Sequence, residues 1–247
     1  MNITILTLFP DMFSGFATNS IMKRAIGKGV ATINVVNIRD YTKDKYGRTD
    51  TPPIGGGAGL IEKCQPIVDA LKANRKEDSH VILMSPRGHT YDQKAAQRFA
   101  ELNDLIIVCG HYEGIDERVN AYCDELISIG DYVLTGGEIP AMAIADSVIR
   151  LLDGAITKDS LTDESFNADL LEYPQYTEPY DSKAKRSPTS FTAATTKPSK
   201  NGGGSNRFCL QKSIGPIYSR RFPYRSKTKN SSPNATKREP QIGKNKL

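Results

Sequence analysis

Two short β-branched runs, Leu105 to Val108 and Leu126 to Ile129, each stop at a glycine and give way to polar and aromatic residues. This repeated feature narrows the folds open to the chain more than any other. A strand buried on both faces of a parallel sheet reads as a continuous apolar run, and such strands deliver ligand loops at their carboxyl ends. Gly136, Gly137 and Pro140 then open a long apolar run at helical spacing, so the second loop should pass directly into a helix.

The remainder alternates in the same manner. Asn2 to Phe9, Ala31 to Ile38 and Val81 to Met84 read as strands, the last running into Ser85-Pro86-Arg87-Gly88. A helix is expected from Pro10-Asp11, with Met12, Phe13, Phe16 and Ala17 on one face. Others are expected over Cys64 to Ala73, Tyr91 to Leu102 and about Glu138 to Leu152. Strands alternating with helices predict an α/β fold with a mostly parallel sheet. Thr42 to Gly59 is a long polar loop, of a length that inside a compact domain tends to be functional. Ile3 to Phe9 is too short to cross a membrane, has no basic segment before it and meets Pro10-Asp11, which marks a core strand and not a signal peptide.

The 247 residues suffice for one large domain or two modest ones. Charge divides them unevenly. Residues 1–180 carry 17 Lys and Arg against 26 Asp and Glu, a net of −9, and residues 181–247 carry 16 against 2, a net of +14, which together make the +5 of the chain. Four cysteines form no C-x-x-C pair and only three histidines are present, so no metal site is expected and the thiols read as reduced cytosolic core residues.

Gly110-His-Tyr-Glu-Gly-Ile-Asp-Glu-Arg-Val119 and Ser128-Ile-Gly-Asp-Tyr-Val-Leu-Thr-Gly-Gly-Glu-Ile-Pro-Ala-Met142 closely resemble the two signature loops of the bacterial tRNA (guanine-N1)-methyltransferases. The resemblance runs from Asn2 to about Pro179. It implies a SPOUT α/β knot, a deep trefoil, over residues 1–158, and a linker over residues 159–180. It also implies S-adenosyl-L-methionine as methyl donor and the guanosine at position 37 of tRNA, just 3′ of the anticodon, as acceptor. A cytoplasmic homodimer with its active site at the subunit interface, gripping the anticodon stem-loop, follows from the same resemblance. Periodicity alone would suggest an ordinary doubly wound sheet, because knots are nearly absent among proteins.

The resemblance assigns Pro86, Gly110, Tyr112, Glu113, Ile129, Gly130, Asp131, Tyr132, Val133, Leu134, Gly136 and Gly137 to the cofactor loops. A neutral, glycine-containing backbone can hydrogen-bond an adenine edge, and Ile129 and Leu134 can sandwich the ring. Asp116, Glu117 and Arg118 sit near a helix start, where acids favour the dipole, and the two acids read as structural. Gly55-Gly56-Gly57 lacks the strand before it that a dinucleotide fingerprint requires, leaving a flexible turn or a backbone-lined RNA contact. In this loop Tyr46, Thr51 and Ile54 stand where the family has His, a second Asp and Tyr.

Guanine N1 holds a proton at neutral pH and needs a base before it can attack. By resemblance Glu164 is that base, in a position where the family commonly has Asp, with Asp163 beside it as a competitor. Arg150 is the cation that would stabilise charge developing on O6; read without the family, it would pair with Asp146 one helical turn earlier.

Residues 181–247 hold five Ile, Leu, Met or Val among 67, too little apolar surface to offset ordering entropy, and should be disordered. Ser182 to Phe191 can be encoded so that the neighbouring frame reads Phe-Lys-Gly-Lys-Lys-Ile-Pro-Asp-Ile-Leu-Phe. Three later stretches yield further motifs of the family's carboxyl-terminal domain, in order and in that same frame. The expectation is an out-of-frame tail. Two other readings accompany the enzyme: a silent protein that binds cofactor or RNA without turnover, and a related methyltransferase acting on another RNA.

Overall fold

Strand-forming runs associate here because the central ones, β1 and β6, bury both of their faces. The computed structural model describes residues 1–157, 165 and 166. It begins with β1 (Asn2–Thr7), a 3-10 turn (Pro10–Phe13), α1 (Ser14–Thr18), α2 (Ser20–Gly27), β2 (Thr32–Asn37) and a second 3-10 turn (Ile38–Tyr41). It continues through β3 (Asp50–Thr51), β4 (Ile61–Glu62), α3 (Cys64–Asn74), β5 (Ser79–Thr90) and α4 (Gln93–Ala100). β6 (Asp104–Val108), a third 3-10 turn (Glu117–Tyr122), β7 (Glu125–Ser128) and α5 (Glu138–Ile149) complete it.

Five strands form one sheet in the order β2-β1-β6-β5-β7, and every neighbouring pair is parallel. Successive residues turn to opposite faces, as the pleat dictates. Ile3, Ile5, Leu105 and Ile107 enter a core with Phe13, Phe99, Ile144 and Val148, while Leu6, Ile106 and Val108 enter a second with Ile38, Ile67, Leu71 and Val119. Full burial of each such side chain is worth about 1.5–3 kcal/mol, so the two layers hold the sheet rigid behind the loops at its carboxyl end. Among the described residues no helix is long and apolar enough to cross a membrane.

Three details differ from the sequence expectation. The helix expected from Pro10 is a 3-10 turn and the short α1, which ends at the extended Asn19 (φ −121°, ψ 156°), and a further helix, α2, starts at Ser20. β5 does not end at Met84: Ser85 to Gly88 bulge outward and the ladder resumes, so that Met84 and His89 both stand beside Ile127. Within the long loop, Asp50–Thr51 and Ile61–Glu62 pair antiparallel and make Gly55 to Gly57 the tip of a hairpin. The expectations for Glu164, Asp163 and the tail lie outside the described residues.

Candidate active site

The loops following Met84, Val108 and Ser128 meet at one end of the sheet and enclose a cleft of about 480 Å³. The junction is at Gly137. Its N–H donates to the Gly110 carbonyl at 2.7 Å. A Cβ there would lie 2.8 Å from Cys109 Cα, 3.0 Å from Gly110 N and 3.0 Å from Met84 Cβ. Only glycine lets the chain after β7 pass so close to Met84 of β5 and to the residues that follow β6 before α5 begins. Its φ is an ordinary −81°, so the requirement is space and not conformation.

Pro86, Gly110, Tyr112, Glu113, Ile129, Gly130, Tyr132, Val133, Leu134, Gly136 and Gly137 all line the cleft. Asp131 does not; it is exposed outside the lining. Tyr132, Val133 and Leu134 leave apolar surface uncovered, Val133 being 87% exposed. Opposite them, Tyr112 holds a φ of 57°, a left-handed conformation that costs a non-glycine residue free energy and recurs at ligand sites. Its ring meets that of His111 edge-on at 5.2 Å.

Ion pairs fix the approach of these loops. Arg87, on the bulge of β5, pairs with Glu117 at 2.6 Å and so ties that bulge to the segment after β6. Asp116 caps the 3-10 turn by accepting from the Arg118 N–H at 3.0 Å and pairs with its guanidinium, which holds the Asp116 carboxyl below its ordinary range. Both acids are thus engaged in ion pairs, Asp116 with Arg118 and Glu117 with Arg87.

The β3–β4 hairpin braces the loop from outside. The Leu60 carbonyl accepts from the Glu113 N–H at 3.2 Å, and Glu62 bonds the same loop through both its backbone and its carboxyl. Gly55 to Gly57 are exposed at the hairpin tip and are not part of the cleft. Glu62, His111 and Glu138 escaped the sequence reading. A buried glutamate on a two-residue strand has no local signature, though the unbroken signature around His111 and Glu138 could have drawn attention to both.

Arg150 is not brought to the cleft of its own chain. It caps the carboxyl end of α5, its N–H donating to the Asp146 carbonyl at 3.1 Å. The 12 residues of α5 separate it from Gly137, roughly 18 Å at 1.5 Å per residue. Among the described residues no cluster of three or more His, Cys, Asp or Glu could hold a metal ion.

The family model of tRNA (Guanine-1)-methyltransferase TrmD matches residues 1–198, which carries the similarity past Pro179. A tRNA (guanine-N(1)-)-methyltransferase of Malacoplasma penetrans is 51% identical over 180 residues, covering 73% of this chain and 80% of the relative. One from Dictyoglomus turgidum is 50% identical over 189 residues, 76% of this chain and 77% of the relative. One from Clostridium botulinum (strain Hall) is 54% identical over 181 residues, 72% of this chain and 75% of the relative. With a matched model spanning most of its length and relatives above half identity, the chain belongs to the tRNA (guanine-N1)-methyltransferase family.

Proposed function

We propose that the chain transfers a methyl group from S-adenosyl-L-methionine to N1 of the guanosine just 3′ of the tRNA anticodon. The observation that carries this reading is the convergence of three strand-end loops on one cleft in a chain of this family. The cleft's residues suit the donor. Uncovered Val133 and Leu134 offer apolar faces to a flat ring, the Gly110, Gly130 and Gly136 backbone leaves room beside it, and Glu113 adds an acidic residue to the lining for a cationic ligand. When bound, the donor supplies an electrophilic methyl group on a sulfonium centre.

The chain's own part is proton and charge management. Glu164, with Asp163 its competitor, accepts the N1 proton as the methyl bond forms, and negative charge spreading onto O6 meets the Arg150 guanidinium. The placement of Arg150 at the far end of α5 from its own cleft supports reading the enzyme as a homodimer with shared sites, in which each cleft receives the partner subunit's Arg150. The trefoil knot belongs to this reading as well, supported by the close passage of the chain after β7 over Met84 of β5 and the residues that follow β6. Exposed Gly55 to Gly57 are a secondary RNA contact, and the enzyme works in the cytoplasm, where its tRNA resides.

We further infer that residues 181–247 are an out-of-frame tail replacing the family's helical carboxyl-terminal domain. Support comes from the ordered neighbouring-frame motifs and from relatives that align over only 180 to 189 residues, whereas the family model, which reaches residue 198, does not share the boundary at 181. Coding DNA read across codon 181 decides this point, and an intact frame without those motifs ends it. The base is tested by single-turnover methyl transfer to unmodified tRNA at several pH values. Glu164→Ala should slow it by about 10²–10⁴ and flatten its acid limb; an unchanged rate eliminates Glu164.

A further inference from the structure

Behind the cleft wall, the loop that carries Tyr112 and Glu113 is clamped by two buried carboxyl groups from elements on either side of it. Glu62 of β4 is 1% exposed, and its Oε1 accepts from the backbone N–H of His111. The Glu62 N–H donates to the Gly114 carbonyl at 2.9 Å, and its carbonyl accepts from the Asp116 N–H at 3.0 Å. On the other side Glu138, the first residue of α5 and also 1% exposed, accepts from Thr7 Oγ1 at 2.9 Å. Its Oε2 approaches His111 Nδ1 to 3.6 Å.

Gly136 closes the arrangement. A Cβ there would lie 2.3 Å from Glu138 Oε2 and 2.5 Å from His111 Nδ1, so these groups fix where the cleft wall runs. Glu62 Oε2 and His111 Nδ1 are themselves buried without a hydrogen-bond partner. A buried carboxyl oxygen with no partner is far more costly ionised than neutral. Nothing in the transfer chemistry uses Glu62, yet it touches three points of the cofactor loop.

We propose that Glu62 is a positioning residue for the methyl-transfer reaction: as a neutral acid it fixes the His111–Asp116 loop, and with it Tyr112 and Glu113, against the cofactor cleft. The proposal rests on the reading of that cleft given above. The groups facing Glu62 are His111 on the loop it binds, Cys109 at the end of β6, Glu138 from α5 and Asp50 from β3. Burial raises its carboxyl most, the His111 N–H opposes that rise, and the charges of Glu138 and Asp50 add to it, leaving it at about 8. Above that pH a second charge develops beside Glu138 in a wall closed to water, and repulsion displaces the loop.

The test is calorimetric binding of S-adenosylhomocysteine, which has no transferable methyl, to the full chain between about pH 6.5 and 9.5. Wild type, Glu62→Gln and Glu62→Ala are compared, with a thermal melt at each pH to separate binding from folding. Wild-type affinity should hold to about pH 8 and then fall roughly tenfold per unit, following the neutral fraction. Glu62→Gln keeps the acceptor oxygen and cannot ionise, so it should bind as wild type does near pH 7 and hold its affinity at pH ~9. Glu62→Ala, lacking the acceptor, should bind more weakly throughout. A flat wild-type profile, or an equal fall in Glu62→Gln, overturns the proposal. A wild type that binds at no pH overturns the cofactor reading itself, a failure of a different kind.

Discussion

Replacing Gly137 by alanine puts one methyl group where three atoms already stand. Carbon atoms in contact prefer about 3.5–4.0 Å, whereas the new Cβ would meet Cys109 Cα at 2.8 Å, Gly110 N at 3.0 Å and Met84 Cβ at 3.0 Å. Two of the three are backbone atoms of Cys109 and Gly110, directly after β6, and cannot rotate aside. Overpacking of this kind costs about 1–3 kcal/mol. The easiest relief, lifting the loop off β6, breaks the Gly137 N–H to Gly110 carbonyl bond, worth about 1 kcal/mol. Gly137→Ala should therefore lose roughly 2–4 kcal/mol, a large part of the 5–15 kcal/mol typical of a domain. The assay is urea unfolding followed in parallel with S-adenosylhomocysteine binding. Gly15→Ala is the control: Gly15 lies in α1 with nothing within 4 Å of its added Cβ, so that variant should be neutral or gain up to about 1 kcal/mol. An unfolding midpoint and affinity for Gly137→Ala equal to wild type would refute the close-passage argument.

Three other perturbations follow from the same geometry. Glu62 has its folded-state acid constant raised to about 8, so the unfolded chain releases that proton first as pH rises; wild-type stability falls from the unfolded value up to about pH 8 and levels off above it. Glu62→Gln lacks this loss, and its advantage in urea melts should widen to a few kcal/mol at about pH 8, at ~1.4 kcal/mol per unit; a constant gap across pH contradicts it. Asp104, 2% exposed, accepts from Asn2, Lys76 and Ser79, which hold its carboxyl below the usual range although burial, the largest single influence, pushes upward. Its contribution is present above about pH 4 and lost as pH falls through the folded value, so Asp104→Asn should cost ~1–3 kcal/mol at neutrality and progressively less in acid. Arg150→Ala should lower single-turnover methyl transfer by about 10²–10³ with donor affinity unchanged, measured by calorimetry, because the residue is remote from the cleft of its own chain.

What could be read ahead of the coordinates was whatever sequence pattern governs directly. The apolar run of β6, buried on both faces, and the Ile- and Leu-rich β1 identified the central strands, and the glycine after β6 marked a loop that lines the cleft. What escaped depends on neighbours far along the chain. α2 does carry Ile21, Met22, Ala25 and Ile26 at helical spacing, but it is only eight residues long and buries just Met22 and Ala25, so it stands out little beside the longer helices. The bulge at Ser85 to Gly88 exists because β7 accepts the chain a second time beside Ile127, which no local signal announces. Glu62 matters through Gly114, Asp116, His111 and Glu138, all at least 49 positions away. The remoteness of Arg150 was legible in principle, because 12 residues of helix fix the length of α5; the family roles alone obscured it.

The account stands or falls on the product. Unmodified tRNA incubated with the full chain and labelled S-adenosylmethionine, then digested and resolved by mass spectrometry, should yield N1-methylguanosine from the nucleotide following the anticodon. Donor binding without any methylated nucleoside, or a methyl group on a different base, would contradict it.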